Sequence, residues 1–404
     1  MKRKGSLGLK VLVGASLVIL GCSPKVITVP SKSVETKTPV VIEKPVKKFT
    51  EASISLLIPF KLNDFNLKTA TKAQVEKADM AIDFYQGIKI GIDSAAATGF
   101  NFKLNVFDTR DETSQLANLQ KKESLKNSNL IIGPVFPEGI SYMTNYALAN
   151  DLTIVSPLAA SKPSDFNNPK LIAIVNNIDQ HAVKIGNYIG QHFPAGKAIV
   201  VLINPKKSAD EQFAAPLRSY LKQKYPTLVV QEFTTTYAFE TKMSKGKQYA
   251  VVICSSDMKF VTPSIEKLFK LKNLKTGGYP IDLFGHPNWS KQSYNVDQLQ
   301  DLNTIISTSY RIDYKSAAVI NFIKKYRAQF NFEPSEYSFK GFDIGYYFGK
   351  LLAKHGLNYL DYLTKEPYKG LHNSFNFEFD AKYGYFNKDL MLLQYRNLNL
   401  NVIN

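Results

Sequence analysis

The side chains that could handle a small molecule sit where apolar runs stop. Five such stops read "IIGPVFPEG", "IVSPLAASKPS", "LINPKKSAD", "VICSSD" and "LFGHPNW". Each sets hydroxyls, amides, an imidazole, a carboxylate or an indole beside a strand end, most of them opened by Gly or Pro. Gly permits close main-chain approach, and Pro ends a strand without needing a donor. Brought together, these groups make the lining of a polar and aromatic cleft, which binds without making or breaking bonds. Gly and Pro also suit a purely structural strand end, so the reading rests on the set rather than on any one loop. The acids of "FDTRDE" (Asp108, Asp111 and Glu112) are compatible with general acid–base work, and equally with a solvated loop. The sequence contains no nucleophile elbow, phosphate-cradling loop or dinucleotide fingerprint. Its five histidines, at 181, 192, 286, 355 and 372, lack metal-ligand spacing. His181 and His355 read as helix-surface residues. His286 is the one to test, although a turn histidine beside Pro287 is the plainer reading. The expectation is therefore a non-enzyme with no metal and no cofactor.

The elements that must position these loops alternate along the chain. "SISLLIPF" is a short apolar run ended by Pro59, and "ADMAIDFYQGIKIGIDSAAATG" spaces Met80, Phe84, Ile88 and Ile92 as one helix face, closing at Gly99. "NFKLNVFDTR", a helix over 114–126, "NLIIGPV", a helix over 139–150 and "LTIVSPL" follow. This βαβαβαβ order predicts a parallel sheet covered on both faces. The pattern restarts with a helix over 180–192, then "KAIVVLINP", a helix in which Pro216 is expected to bend or break the chain, "TLVVQEFT", "QYAVVICSSD", a helix over 264–274, "IDLFGHPNW" and "TIISTSY". Two long helices, 316–329 and 337–355, precede a hairpin expected across "AKYGYFN". The 404 residues, 44% apolar, suffice for two such lobes.

The N-terminus carries an address. "MKRKGSLGLKVLVGASLVILGC" has a basic start and an apolar stretch from Val11 to Gly21. That is too short to span a hydrocarbon core, which takes roughly 20 helical residues, so it reads as a signal peptide over 1–21. "ILGC" resembles a bacterial lipobox, which implies cleavage before Cys22 and lipid on its sulfur. Ser23 follows rather than Asp, which resembles sorting to the outer membrane, with the chain facing the periplasm. Residues 22–50, punctuated by Pro24, Pro30, Pro39 and Pro45, read as an extended tether. At about 3.1 Å per residue such a leash reaches on the order of 80 Å. Of the +17 formal charge, four units fall in the first 22 residues and four in 23–50, leaving nine for the body. A solvated lysine surface accounts for most of this, and no nucleic-acid motif accompanies it. Cys254, in a buried-strand pattern, is left as a small core residue with no disulfide partner.

Lipobox, tether and doubled β/α plan resemble the type I periplasmic binding proteins, the Leu/Ile/Val-binding class of ABC transporter substrate-binding lipoproteins, and the lysine-, asparagine- and aromatic-rich composition fits Bacteroidetes-like members. "DFYQGIKIGID" is similar to the family's first helix, "NLIIGPVFPEGISYMTNYALANDLTIVSPLAAS" to its strand–loop–helix–strand core, "LFGHPNW" to a loop of the opposite lobe and "EPSEYSFKGFDIGYYFGKLL" to its long helix. The resemblance covers about residues 51 to 404. It implies an α/β fold of two Rossmann-like lobes with parallel sheets and three hinge crossings, closing on a ligand. Lobe one would hold 51–176 and 311–370, and lobe two 177–310 and 371–404. Carried over by position, the ligand-facing residues are Phe136 and Glu138, then Leu158, Ala160 and Ser161, from lobe one. Lobe two supplies Lys206, Ser208, Ser255, Asp257, His286 and Trp289, and Tyr310 sits at a crossing. Phe136, Glu138, Leu158 and Ala160 replace the family's clamp for an α-amino acid. The implied function is capture of a small polar or amphipathic, amino-acid-like molecule for an ABC permease. The alternative is an outer-membrane lipoprotein that regulates a peptidoglycan synthase through its body, with a degenerate cleft, because lipoprotein activators of such synthases resemble the same fold.

Overall fold

Short apolar runs bounded by turn residues become the strands of two sheets. The computed structural model describes residues 49–403 apart from Phe65, Leu67 and Lys77. The signal peptide, Cys22 and most of the tether therefore lie outside the described residues. The first lobe opens with β1 (Glu51–Ile58), α1 (Lys72–Glu76), α2 (Asp79–Ala96), β2 (Asn101–Asp108), α3 (Thr113–Leu119), α4 (Glu123–Lys126), β3 (Leu130–Ile132), α5 (Pro137–Ala149), β4 (Ile154–Ser156) and β5 (Leu171–Ala173). The second runs through α6 (Ile178–His192), β6 (Ala198–Ile203), α7 (Ser208–Lys224), β7 (Val229–Phe233), α8 (Thr236–Glu240), β8 (Gln248–Ile253), α9 (Met258–Lys272), β9 (Ile281–Gly285), α10 (Val296–Asp301) and β10 (Ile305–Thr308). The chain returns through α11 (Ala317–Phe330), α12 (Glu336–His355), β11 (Tyr368–Lys369), β12 (Ser374–Phe375), β13 (Phe377–Asp380) and β14 (Gly384–Asn387). It ends with β15 (Met391–Arg396) and β16 (Asn399–Ile403).

Both lobes use one plan. The first sheet has the order β13-β14-β5-β4-β3-β1-β2 and the second β16-β15-β10-β9-β8-β6-β7. In each, five parallel strands in a 2-1-3-4-5 order are closed at one edge by strands from the C-terminal segment. Apolar side chains fill both faces of each sheet, as expected when helices cover both faces.

The C-terminal segment departs from the expected arrangement. The single hairpin across "AKYGYFN" is two hairpins, one per lobe. β13 pairs antiparallel with β14, which lies parallel to β5 of the first sheet, while β15 and β16 pair on β10 of the second. Residues 377–387 thus sit in the first sheet rather than the second lobe, and the last crossing falls at 388–390. A turn through Ala381–Tyr383, with Gly384 at φ +83, closes the first hairpin locally before the chain can cross. Pro216 does not break its helix: α7 is continuous past it, because Phe213, Ala214, Leu217 and Leu221 bury one face on both sides. The helix expected over 114–126 is two, α3 and α4. α9 begins six residues before the expected start because Asp257 caps it, accepting the Lys259 N–H at 3.1 Å.

Glycines set the packing of α2 against α12. Along α2, Gly87 and Gly91 face Gly341 and Gly345 of α12. A Cβ on Gly341 would stand 2.2 Å from the Phe84 carbonyl oxygen, and one on Gly87 2.0 Å from that of Ser338. The helices touch backbone to backbone, which fixes α12 against the first lobe. Helix propensity alone favours Gly→Ala by about 1 kcal/mol, whereas overpacking costs typically about 1–3 kcal/mol and occasionally more, the high end applying where the clash is with main chain that cannot rotate aside. Gly341→Ala is expected to lower the urea midpoint of unfolding; a raised midpoint would show that the helices separate freely.

Candidate ligand-binding cleft between the lobes

Three crossings join the lobes: 174–177 after β5, 309–316 after β10 and 388–390 after β14. Asn387 knots the first to the third. Its amide donates to the Ile174 and Ser374 carbonyls at 3.2 and 2.9 Å, and its own carbonyl accepts from Asn176 and Gln180 at 2.7 and 2.8 Å. Asp343 of α12 secures the second. Its carboxylate accepts the N–H groups of Leu371, His372 and Asn373 at 2.8 to 2.9 Å and the Tyr368 hydroxyl at 3.1 Å. The Arg311 N–H then reaches the His372 carbonyl at 3.0 Å.

In front of the crossings lies a cleft of about 480 Å³. Leu158, Ala160 and Lys340 line it from the first lobe, and His181, Gln212, Ser256, His286 and Lys291 from the second, with Asn176 and Tyr310 between. Local chemistry explains the placement. Asn177 caps α6, accepting the N–H groups of Asp179 and Gln180 at 3.1 and 3.2 Å, while Gln180 returns a bond to the Asn177 N–H. The cap starts α6 early enough to put His181 in its first turn. His181 is no helix-surface residue: it is buried between Ser307 Oγ at 2.9 Å and Ser309 Oγ at 3.3 Å. His286 accepts the Asn288 N–H through Nδ1 at 3.2 Å and meets Phe213 edge to face. Burial pushes the two imidazoles from 6.5 down to about 3 and about 4, His181 being further disfavoured by His286. Both are neutral hydrogen-bonding groups at neutral pH.

The charge in the cleft comes from two lysines absent from the sequence-derived set. Lys340 is buried, bonds Glu336 at 3.1 Å, and lies 5.2 Å from the Tyr310 ring centre; Lys291, more exposed, stands 5.4 Å from that ring and 3.7 Å from Glu336. His372 stacks on Tyr310 at 4.3 Å. Burial lowers the Lys340 pKa, an effect Glu336 partly offsets. Burial would by itself raise Glu336, but the Lys340 and Lys291 charges hold it below the usual carboxylate value. The signal for Lys340 was present in "EYSFKGFDIG": it lies one turn from Glu336 and one from the core residue Ile344, on the buried face.

Of the residues carried over from the resemblance, Leu158, Ala160, His286 and Tyr310 line this cleft, and the others do not. Phe136 and Glu138 are exposed at the start of α5, where the loop after β3 faces Thr109, Glu112 and Leu116 across a crevice of about 20 Å³. Ser161 lies just past Ala160, where the chain leaves the cleft. Lys206, with left-handed φ of +65, is bound to Glu211 and Glu232. Ser208 is exposed at the first turn of α7, and Asp257 is spent on its cap and on Lys207 at 2.9 Å. Ser255 is fully buried, its carbonyl accepting the Trp289 indole N–H at 3.0 Å. Trp289 itself has no exposed surface and packs on Gly285, where a Cβ would fall 2.2 Å from its ring. A large apolar ring gains more from the lobe's core than from a wet cleft. His355, also expected on a helix surface, is instead largely covered, stacked on Tyr362 and paired with Glu366 at 2.9 Å. In the "FDTRDE" loop, Asp108 accepts three backbone N–H groups, from Lys61, Leu62 and Arg110, and holds the turn. Among the described residues no group of His, Cys, Asp and Glu could hold a metal ion.

No protein-family model matches this chain, and no curated protein matches it in sequence. Solved structures do match its fold. A Rhodospirillum rubrum protein assigned as a branched-chain amino acid ABC transporter superposes with a TM-score of 0.64 at 13% identity, over 87% of this chain and 100% of that one. An ABC transporter substrate-binding protein of Desulfitobacterium hafniense in complex with Leu gives 0.55 at 14%, over 87% and 100%. The C-domain of LpoA of Haemophilus influenzae, a regulator of PBP1A, gives 0.53 at 13%, again over 87% and 100%. The chain has the α/β, two-lobed fold of the type I periplasmic binding proteins.

The buried imidazoles make stability depend on pH. In the unfolded chain they protonate near 6.5, while folded His181, His286 and His372 stay neutral down to about 3, 4 and 3. Between those values the unfolded state binds more protons, so stability rises with pH, by at most about 1.4 kcal/mol per pH unit for each imidazole. Asp343 acts with opposite sign: burial raises it from 3.8 to about 6, so its contribution is complete below 3.8 and is lost as pH rises through 6. Three imidazoles outweigh one carboxyl. The melting temperature is expected to climb from pH 4.5 to 6.5 and His286→Gln to flatten that climb; a flat wild-type profile would contradict the assignment.

Proposed function

We propose that this chain is a solute-binding protein that captures a small polar or amphipathic molecule between its lobes and presents it to an ABC-type transporter. The observation that carries the reading is the open cleft of about 480 Å³, lined from both lobes and from two of the crossings by hydrogen-bonding side chains. That volume lies within the usual range for small-ligand sites, and a gap spanned by hinges is where ligand binding and lobe closure couple. The structural likeness to substrate-binding proteins supports the same reading. Its chemistry is read as binding rather than catalysis: the hydroxyl–imidazole contact there, Ser309 to His181 at 3.3 Å, has a second serine, Ser307, rather than an orienting carboxylate on the other ring nitrogen.

A second reading has its own support. The C-domain of LpoA, a regulator of PBP1A, is matched along its full length, and Leu158 and Ala160 stand where an amino-acid clamp would offer polar groups. On this reading the body is an interaction module for a peptidoglycan synthase and the cleft is vestigial. Either role suits a chain lipidated at Cys22 and held at the outer membrane, facing the periplasm, by its proline-rich leash.

Two measurements separate these. A thermal-shift panel of amino acids, organic acids, peptides, nucleobases and sugars is expected to contain a stabilising class, a ligand at 100 times its Kd adding about 2.7 kcal/mol. A silent panel together with co-purification of a peptidoglycan synthase would promote the second reading. Anchoring is checked by labelling cells with radioactive palmitate: the wild-type chain is expected to take up label and Cys22→Ser to take up none, whereas equal labelling would refute the lipobox.

A further inference from the structure

Resting on the reading of the cleft as a solute site, we infer that its ligand is a small organic acid without a compensating ammonium, its carboxylate held between Lys291 of the second lobe and Lys340 of the first. The cavity lining contains two lysines and no aspartate or glutamate. The single carboxylate beside them, Glu336, is shared: it bonds Lys340 at 3.1 Å, accepts the Tyr310 hydroxyl at 3.4 Å and faces Lys291 at 3.7 Å. Two cations against one anion leave the corner one positive charge in excess. The histidines do not change this count, since both lining imidazoles are buried and neutral.

The two lysines are unequally provided for. The Lys340 side chain is 8% exposed, so its ammonium has given up most of its water for one carboxylate and the edge of an aromatic cluster. A buried cation is costly unless its charge is matched. Lys291, at 59% exposure, stands beyond hydrogen-bond distance of Glu336; the Tyr310 hydroxyl engages it, and an ammonium with three donors has others left for a ligand. A carboxylate placed between them completes an alternation of charge and bonds both lobes at once, so binding and closure draw on the same contacts. A zwitterionic amino acid gains less there, because its ammonium meets no anion in the lining, and Glu336 beside it is already engaged. Leu158, Val175 and Ile178 furnish an apolar stretch of wall for the body of such an acid.

The test uses the purified full-length chain and matched probes: 4-methylpentanoate, benzoate and 3-hydroxybutanoate, the primary amide of each, leucine, and inorganic phosphate. At least one acid is expected to raise the melting temperature and to bind at least tenfold more tightly than its amide and than leucine. Lys291→Gln, whose folding is verified by its circular dichroism and urea midpoint, is expected to weaken that acid at least tenfold and to narrow the gap between the acid and its amide. Raising the salt concentration weakens the acid further. Amides or leucine binding as well as the acids, or undiminished acid binding by Lys291→Gln, overturns the acid site while leaving solute capture standing. A shift by phosphate equal to that by the acids overturns the organic-acid assignment in favour of a general anion site. Silence from every probe overturns the acid site, and silence across the wider solute panel overturns the capture reading with it.

Discussion

A single buried amide holds the two halves in register. Asn387, at the last residue of β14, spends its side chain and its main-chain carbonyl on residues 174, 176, 180 and 374. Buried donors and acceptors left without partners cost about 1–3 kcal/mol each, so losing the Asn387 side chain would strand several groups at once. This residue sets the first crossing beside the third, and the cap at Asn177 then aims the first turn of α6, with His181, at the gap. The place of His181 in the lining follows from that placement. The hinge and the site are therefore one structure rather than two.

The first lobe contributes its side by a different means. α12 is pressed against α2 through glycines, and from that fixed helix Asp343 reaches the loop 371–373 while Lys340 faces the cleft with Glu336 bonded beside it. One helix thus serves as core, as anchor for a returning loop and as the carrier of the buried cation. Its burial makes the charges expensive, and the expense is offset by pairing: Asp343 by three backbone N–H groups, Lys340 by Glu336. These pairings lie far from any sequence neighbour except the turn from 336 to 340.

Much of the fold was legible before any coordinate. The alternation of β-branched runs with 3.6-residue periods predicted two parallel α/β lobes, because burial on both faces leaves a nearly continuous apolar run in each strand. The C-terminal strands were not legible. "FNFEFD", "GYFN" and "MLLQYR" all read as short strands, and which sheet edge each joins depends on where the hinge stands rather than on local preference. Helix boundaries slipped where caps acted, at Asn177 and Asp257, and Pro216 was absorbed because its helix buries a face on either side of it.

The candidate site divides in the same way. Leu158, Ala160, His286 and Tyr310 were found from sequence because they follow strand ends or lie in a crossing, and chain order alone brings those to one rim of a parallel sheet. The sequence by itself determined this rim, the apolar periods behind it and the punctuation at each strand end. Only the tertiary structure decided which rim loops face the gap: it turned Phe136 and Glu138 away, drew Trp289 into the core and spent Asp257 on a cap. It also decided that Lys291, Lys340 and His181 meet there from separate lobes. The reason is physical. Strand periodicity and turn chemistry are properties of neighbours in the chain, whereas the pairing of buried charges and the packing of a large ring are settled by what lies across the fold.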